Sequence, residues 1–218
     1  NNYFTNSVPG IAGRDRLNTS LFKGNVFSSG GYSALYGQAL SSVLALESID
    51  FPDQNSADFG VSPIFISGGL QKVNPEKTHS YGFSLGYSNL ELMQKIFKFN
   101  TNFDKAPNGF GGNINFRIKT KSGGMIKYYG SYDGNKLALS NPSLETGTET
   151  EKIKLDGKNS FHSLSYREKF GKYAVSLGSS YTYNNNDLNF TNIFTNGNTY
   201  NNEIDATGNY FNAKAVVE

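Results

Sequence analysis

A two-residue alternation of apolar with small or polar side chains most strongly constrains the fold of this chain. Between Ser80 and Tyr87 every second residue is Tyr, Phe or Leu, and the residues between them are Ser or Gly. The pattern recurs at 113–119 and 173–183. Because successive side chains of a β-strand point to opposite faces, it predicts strands with one apolar face and one small or charged face.

Weaker alternation predicts further strands at 61–70, 126–132, 160–170 and 211–217. Leu90–Asn100 is also expected to be a strand, because an up-and-down order of strands requires one there. These segments together predict an all-β chain with about eight antiparallel strands.

The connections between these strands alternate in length along the chain. Tight turns are expected at Ser88-Asn89, at Ser122-Gly123-Gly124 and at Gly171. The longer links are Lys72–Thr78, Asn102–Gly109, Gly134–Asn159 and Asn184–Asp205. In an up-and-down sheet every second connection lies at the same end, so one rim would carry tight turns and the other long loops. Outer-membrane barrels have this asymmetry, with short periplasmic turns and long extracellular loops.

The two predicted faces fit a barrel wall. Tyrosines lie near both ends of predicted strands, at Tyr81, Tyr87, Tyr173 and Tyr183, as in the aromatic girdles at the two bilayer interfaces. The opposite face would line a wet or plugged lumen, either as an ordinary polar lining or as part of a ligand path. Its candidate lumen-facing residues are Asn113, Asn115, Arg117, Lys119, Lys127 and Arg167.

Composition argues against several other classes of protein. A formal net charge of +2 gives no reason to expect nucleic acid as a partner. The chain has no cysteine, hence no disulfide framework or thiolate metal site. It has no apolar run of about 18 residues, so no transmembrane helix is expected, although barrel strands of about 9–11 alternating residues escape such a search. His79 and His162 stand apart from any metal-binding pattern, and no catalytic motif is present, so we expect no enzyme and no cofactor.

The first part of the chain has a different character. Gly30–Ser48 is rich in small residues, and no charge occurs between Lys23 and Glu47. This composition suits a compact insert covered by other protein. We therefore predict an insert over 1–52, a linker over 53–60 and the strands over 61–218.

Two segments carry a resemblance to a known family. Phe22-Lys23-Gly24 with Ser29–Val43 (SGGYSALYGQALSSV) resembles the end of the plug domain of TonB-dependent outer-membrane receptors. Asn102–Gly112 (NFDKAPNGFGG) resembles an early loop of the same receptors. Leu44–Ser48 departs from the family pattern, which bears on the last plug strand rather than on the fold.

The resemblance implies a transmembrane β-barrel of about 22 strands filled by a plug, of which this chain would supply the end of the plug and about eight strands. Such a receptor imports a scarce ligand, using energy from the TonB complex through an upstream segment. Outer-membrane lipid, the unidentified ligand and a surface lipoprotein would be its partners. A carboxylate–arginine contact between plug and wall is usual in the family, and Arg14 and Arg16 are the plug-side candidates.

Two alternatives stay open at this point. One is an outer-membrane surface anchor, adhesin or assembly component without active transport. The other is a soluble β-sandwich that binds a ligand such as a carbohydrate. The first would need no plug, and the second would bury its apolar face against another sheet.

Overall fold

The computed structural model describes residues 21–30, 43–97, 102–142 and 148–218. In these ranges one short helix accompanies ten strands. The elements are β1 (Phe22–Ser28), β2 (Val43–Ser48), β3 (Ser56–Ser62), β4 (Phe65–Val73), β5 (His79–Asn89), α1 (Glu91–Ile96), β6 (Asn102–Lys119), β7 (Met125–Pro142), β8 (Thr148–Phe170), β9 (Tyr173–Phe194) and β10 (Thr199–Val217).

The strands form two antiparallel sheets. β1 pairs with β2, while β3 to β10 form an eight-stranded sheet in which each strand pairs with its neighbours in the chain. The predicted all-β, antiparallel, up-and-down arrangement is therefore confirmed. The sheet is open rather than closed into a barrel within the described residues, and β3 and β10 form its two edges.

Cross-strand register places the predicted apolar residues on one face. Tyr81, Phe116, Tyr128 and Leu164 are successive partners across β5 to β8. Most large apolar side chains on this side are exposed, for example Phe83 at 45%. We call this side the apolar face, and it comprises chiefly Tyr81, Phe83, Leu85, Tyr87, Phe110, Ile114, Phe116, Ile118, Tyr128, Tyr132, Leu164, Leu177 and Tyr181. The opposite side, which carries the small and charged residues, is the polar face.

The two faces exchange character in the upper half of the sheet. From β6 to β10 the strands run well past the end of β5, and we call this part the extension (102–108, 135–142, 148–158, 185–194 and 199–207). The row that continues the apolar face there is Lys136, Asp156, Asp187 and Asp205. The row that continues the polar face is Leu137, Leu155, Leu188 and Ile204. Leu155 and Leu188 are buried in a small apolar cluster with Leu137, Ile153 and Phe190.

The extension corrects the prediction of three long loops. Asn102–Gly109, Gly134–Asn159 and Asn184–Asp205 lie largely within β6 to β10. The register of β7 with β8 continues through this region without a shift, so the alternation has the same phase as below. Because the polarity is inverted, an apolar face cannot be followed along these segments, and their Asn and Lys residues are typical of loops.

The connection between β5 and β6 also differs from the prediction. Ser88 and Asn89 lie in β5 and pair with β6, not in a turn. The segment expected to be a strand, Leu90–Asn100, contains α1. The Asn89 side chain accepts a hydrogen bond from the Glu91 N–H at 2.8 Å, and Lys95 pairs with Glu91 at 2.8 Å. These local interactions favour a helical turn over a strand.

The start of the sheet lies earlier than predicted. β3 covers most of the segment predicted as a linker, 53–60. The single strand expected over 61–70 is instead the end of β3, a tight turn and the start of β4. The Ser62 hydroxyl accepts hydrogen bonds from the Ile64 and Phe65 N–H groups in that turn, at 3.2 Å each.

The other two predicted tight turns are confirmed. Gly123 (φ +92°) lies between β6 and β7, and Gly171 (φ +61°) lies between β8 and β9. Both have positive φ values that L-residues with a side chain rarely adopt, which explains glycine at these positions.

Two strand glycines provide a test of the packing. A Cβ added at Gly112 would lie 2.7 Å from the Ser84 carbonyl oxygen and 2.6 Å from a methyl group of Leu85, whereas one added at Gly178 meets nothing within 4 Å. We expect Gly112→Ala to lower the free energy of unfolding by about 1–3 kcal/mol, because β5 must move away from β6. Gly178→Ala is the control, and we expect it to be neutral or stabilising by up to about 1 kcal/mol. Urea unfolding measures both, and equal effects would contradict the close approach.

Candidate functional site

Basic side chains of the polar face converge on an aspartate that follows β2. Lys127 Nζ lies 2.7 Å from Asp50 Oδ1 and also donates to the backbone oxygen and hydroxyl of Ser48, both at 3.1 Å. Arg167 Nη2 lies 3.3 Å from each carboxylate oxygen of Asp50. These contacts connect the β1–β2 sheet to the polar face of the large sheet. We call Ser48, Asp50, Arg117, Lys127 and Arg167 the Asp50 cluster.

The sheet register brings the three cations together. Arg117 on β6 and Lys127 on β7 are direct partners, and Arg167 on β8 is the partner of Met125, two residues before Lys127. Arg117 is 3% exposed, and the Lys127 side chain is 17% exposed. Cations removed from water in this way repel one another and are costly without a counter-charge. Asp50 supplies that charge.

The charge of Asp50 is stabilised where it lies. Burial raises the pKa of Asp50, but the hydrogen bond from Lys127 and the charges of Lys127 and Arg167 outweigh burial, so its pKa falls below the usual value. The ionised form is therefore favoured.

A second set of contacts holds Arg117 in place. Its guanidinium donates to Asn115 Oδ1, and Asn115 Nδ2 donates to Gln71 Oε1 at 3.2 Å. Gln71 Nε2 in turn donates to the Tyr81 backbone oxygen at 3.2 Å. This chain of amides spans β4 to β6 and orients the guanidinium.

The predicted lumen-facing residues are thus only partly brought together. Asn115, Arg117, Lys127 and Arg167 belong to one connected region. Asn113 lies further along the polar face, where it donates to the Ser84 hydroxyl at 2.6 Å. Lys119 lies at the end of β6, with its backbone N–H bonded to the Thr78 oxygen. The plug-side candidates Arg14 and Arg16 lie outside the described residues.

The sequence reasoning missed Asp50 and Ser48. It expected arginines before the sheet, whereas here the segment before the sheet supplies a carboxylate and the sheet supplies the cations. One signal was available, because three cations predicted on one face require an anion nearby. Two acidic residues, Glu47 and Asp50, follow the apolar run 43–46 closely. Glu47 pairs with Lys23 across β1 and β2 at 2.8 Å.

Within the described ranges, no group of three or more His, Cys, Asp or Glu side chains could hold a metal ion. In the same part of the chain, no helix is long and apolar enough to cross a membrane. The Asp50 cluster consists of charge pairs and amide hydrogen bonds, so what it can do is hold the segment after β2 against the polar face. Compared with known proteins, the chain matches no family model, no curated protein and no solved structure.

Removing the charge of Asp50 tests the cluster. We expect Asp50→Asn to weaken docking of the β1–β2 sheet by about 1–2 kcal/mol, a reduced figure because the Asp50 side chain is 43% exposed. Spin labels on cysteines introduced at Gly30 and Ser179 report docking as a narrow distance distribution in pulsed EPR, which the variant should broaden. The control is Asp53→Asn, whose side chain is fully exposed and 3.9 Å from Lys77.

The same labels give a pH dependence. Because the folded-state pKa of Asp50 is lowered, its contribution is present above its unfolded pKa of about 3.9 and is lost as the pH falls further. The distribution should therefore broaden below about pH 4 in the parent chain, and much less in Asp50→Asn. An unchanged distribution in the variant at neutral pH would contradict a docking role.

Proposed function

We propose that this chain forms part of the wall and the last plug segment of a TonB-dependent outer-membrane receptor that imports a scarce ligand. The observation that carries this proposal is the exposed apolar face, which ends where the polarity of the two faces exchanges. The contact of the 48–50 segment with the polar face adds support from the other side of the sheet.

The apolar face is too large for an aqueous surface. Seven of its Phe and Tyr side chains exposed by close to half, as Phe83 and Tyr81 are, leave on the order of 700 Å² of aromatic surface uncovered. Soluble monomers seldom expose apolar patches beyond about 300–600 Å². A soluble sandwich would cover this face with a second sheet, and none of the described strands packs on it. Lipid is the occupant that we propose.

The height of the face fits a bilayer. β5 has 11 residues and spans it from end to end. At about 3.3 Å per residue and a tilt of about 45°, such a strand rises about 25 Å, the height of the apolar band of outer-membrane barrels. Above it the same face becomes charged, with Lys158 and then Lys136 and Asp156, which pair closely.

The two ends of the sheet suggest an orientation. At one end the turns at 74–78, 120–124 and 171–172 follow directly on the apolar face. At the other end the extension rises beyond it. Short turns lie in the periplasm and long projections lie outside in barrels of this class, so we place the extension outside the cell.

The Asp50 cluster has a role in this scheme. Force passed from the TonB complex through the plug would reach the wall at Ser48 and Asp50, where charge pairs hold the segment. Such pairs are strong enough to keep a closed state and weak enough to break under load. The alternative, a surface anchor without transport, has no need for a releasable contact of this kind.

An arginine placed on the apolar face tests the membrane assignment. We expect Phe83→Arg to reduce the stability of the folded, vesicle-inserted chain by about 2–4 kcal/mol, because the charge would lie near the bilayer centre. Thr207→Arg is the control, since Thr207 follows the same face at the edge of the extension, where the cost is about 0–1 kcal/mol. Urea titration of vesicle-refolded protein measures both, and equal costs would count against a lipid-facing band.

Genetic dependence separates transport from anchoring. Where growth on a nutrient requires this gene, we expect it to require TonB as well, with no additional loss in the double deletion. A growth defect that needs this gene but not TonB would favour the surface anchor or adhesin.

A further inference from the structure

A group of amide side chains lies on the polar face above the Asp50 cluster. Asp133, Asn159 and Asn184 are register partners across β7, β8 and β9, and Asn135 and Asn186 flank Gly157 in the next row. We call these five side chains the amide belt. Asn159 and Asn184 are only 5% and 7% exposed, so the belt is embedded in the sheet rather than splayed into solvent.

Two carboxamide oxygens converge in the middle of the amide belt. A Cβ added at Gly157 would lie 2.8 Å from Asn135 Oδ1 and 3.0 Å from Asn186 Oδ1, so the two oxygens converge over the glycine. Asn135 Oδ1 is buried and has no hydrogen-bond partner among the described residues. Asn113 Oδ1, lower on the same face, is in the same condition. Buried acceptors in this condition require donors from elsewhere.

An aromatic ring lies beside the amide belt. Tyr210 follows Gly208, the register partner of Asn184, and its ring lies over Gly208, within 2.6 Å of where a Cβ would be. Tyr210 is 42% exposed. A flat, half-exposed ring next to amides can pack against one apolar face of a ligand.

Charge around the amide belt is low. Its one carboxylate, Asp133, accepts a hydrogen bond from Asn159 Nδ2 at 3.3 Å. The nearest cation of the Asp50 cluster along β7 is Lys127, six residues away, or about 20 Å along the strand. An anionic ligand would therefore find no counter-charge at this site from these groups.

We propose that the amide belt and Tyr210 bind a neutral oligosaccharide. Sugar hydroxyls donate to Asn135 Oδ1 and accept from carboxamide Nδ2 groups, and a sugar ring packs on the tyrosine. An extended peptide fits less well, because its side chains need open apolar pockets, and Leu155 and Leu188 beside the belt are already buried together. The inference rests on the proposed function only in assigning this ligand to the import path.

Binding in detergent tests the site directly. Isothermal titration with maltohexaose and with xylohexaose should show saturable binding of at least one, and a capped hexapeptide of alternating serine and leucine should not bind. Asn135→Leu should weaken saccharide binding about tenfold, as expected from the loss of a few polar contacts. Tyr210→Ala, on an edge strand where folding is least at risk, should weaken it by a similar factor.

The matched control is Asn189→Leu, three residues from Asn186 but on the opposite side of β9, where binding should not change. The proposal is overturned if neither saccharide binds, if the peptide binds instead, or if Asn135→Leu and Tyr210→Ala bind as the parent does. Because these titrations need no membrane, they fail independently of the vesicle test with Phe83→Arg. Loss of saccharide binding alone would contradict the proposed ligand class. Loss of membrane insertion alone would contradict the proposed receptor function.

Discussion

The cross-strand register of β7, β8 and β9, which shifts once at the start of β8 between Thr148 and Thr150, underlies the other properties of this sheet. It fixes which side chains share a row over strands of 18, 23 and 22 residues. A shift of one residue in any pair would move every side chain of that strand to the other face. Because the register holds, one row can be wholly apolar and a row further up wholly charged on the same side.

This register also assembles the polar face from distant parts of the chain. Arg117, Lys127 and Arg167 come from three strands, and Lys127 and Arg167 pair with Asp50, which follows β2. The contact between Asp50 and Arg167 joins residues 117 positions apart in sequence. The connection between the two sheets therefore depends on long-range pairing rather than on local structure.

The strands of the apolar face could be predicted from the sequence because their alternation is direct. Ser80–Tyr87 lies in a strand whose exposed fractions follow the expected period, and in Tyr173–Tyr183 Leu177 and Tyr181 are exposed on the apolar face. The extension could not be predicted in the same way, since Leu155 and Leu188 lie on the side that is polar below them. In the extension the side chains still alternate between the two faces, but the apolar ones lie on the face that is polar below. Such a segment resembles a loop when the apolar residues are expected on the same face along the whole strand.

The candidate site divides in a similar way. The basic residues of the polar face follow from alternation alone, since Arg117 lies between Phe116 and Ile118. Asp50 could not be found by alternation, because it lies outside the large sheet and its partners are fixed only by tertiary structure. Likewise α1 depends on Asn89 and Glu91, whose local contacts compete with strand pairing.

The strands lengthen from 7 residues in β3 and 11 in β5 to 23 in β8, so the upper margin of the sheet is a slope rather than a level line. A molecule bound beside Asn159 and Asn184 would lie next to the long strands β8 and β9. On the side of β3 to β5 the strands end lower and would leave it uncovered. Such a molecule could then reach the site across the short strands as well as along the long ones. A partner that covered this margin would contact the sheet at two heights, lower along β3 to β5 and higher along β8 and β9.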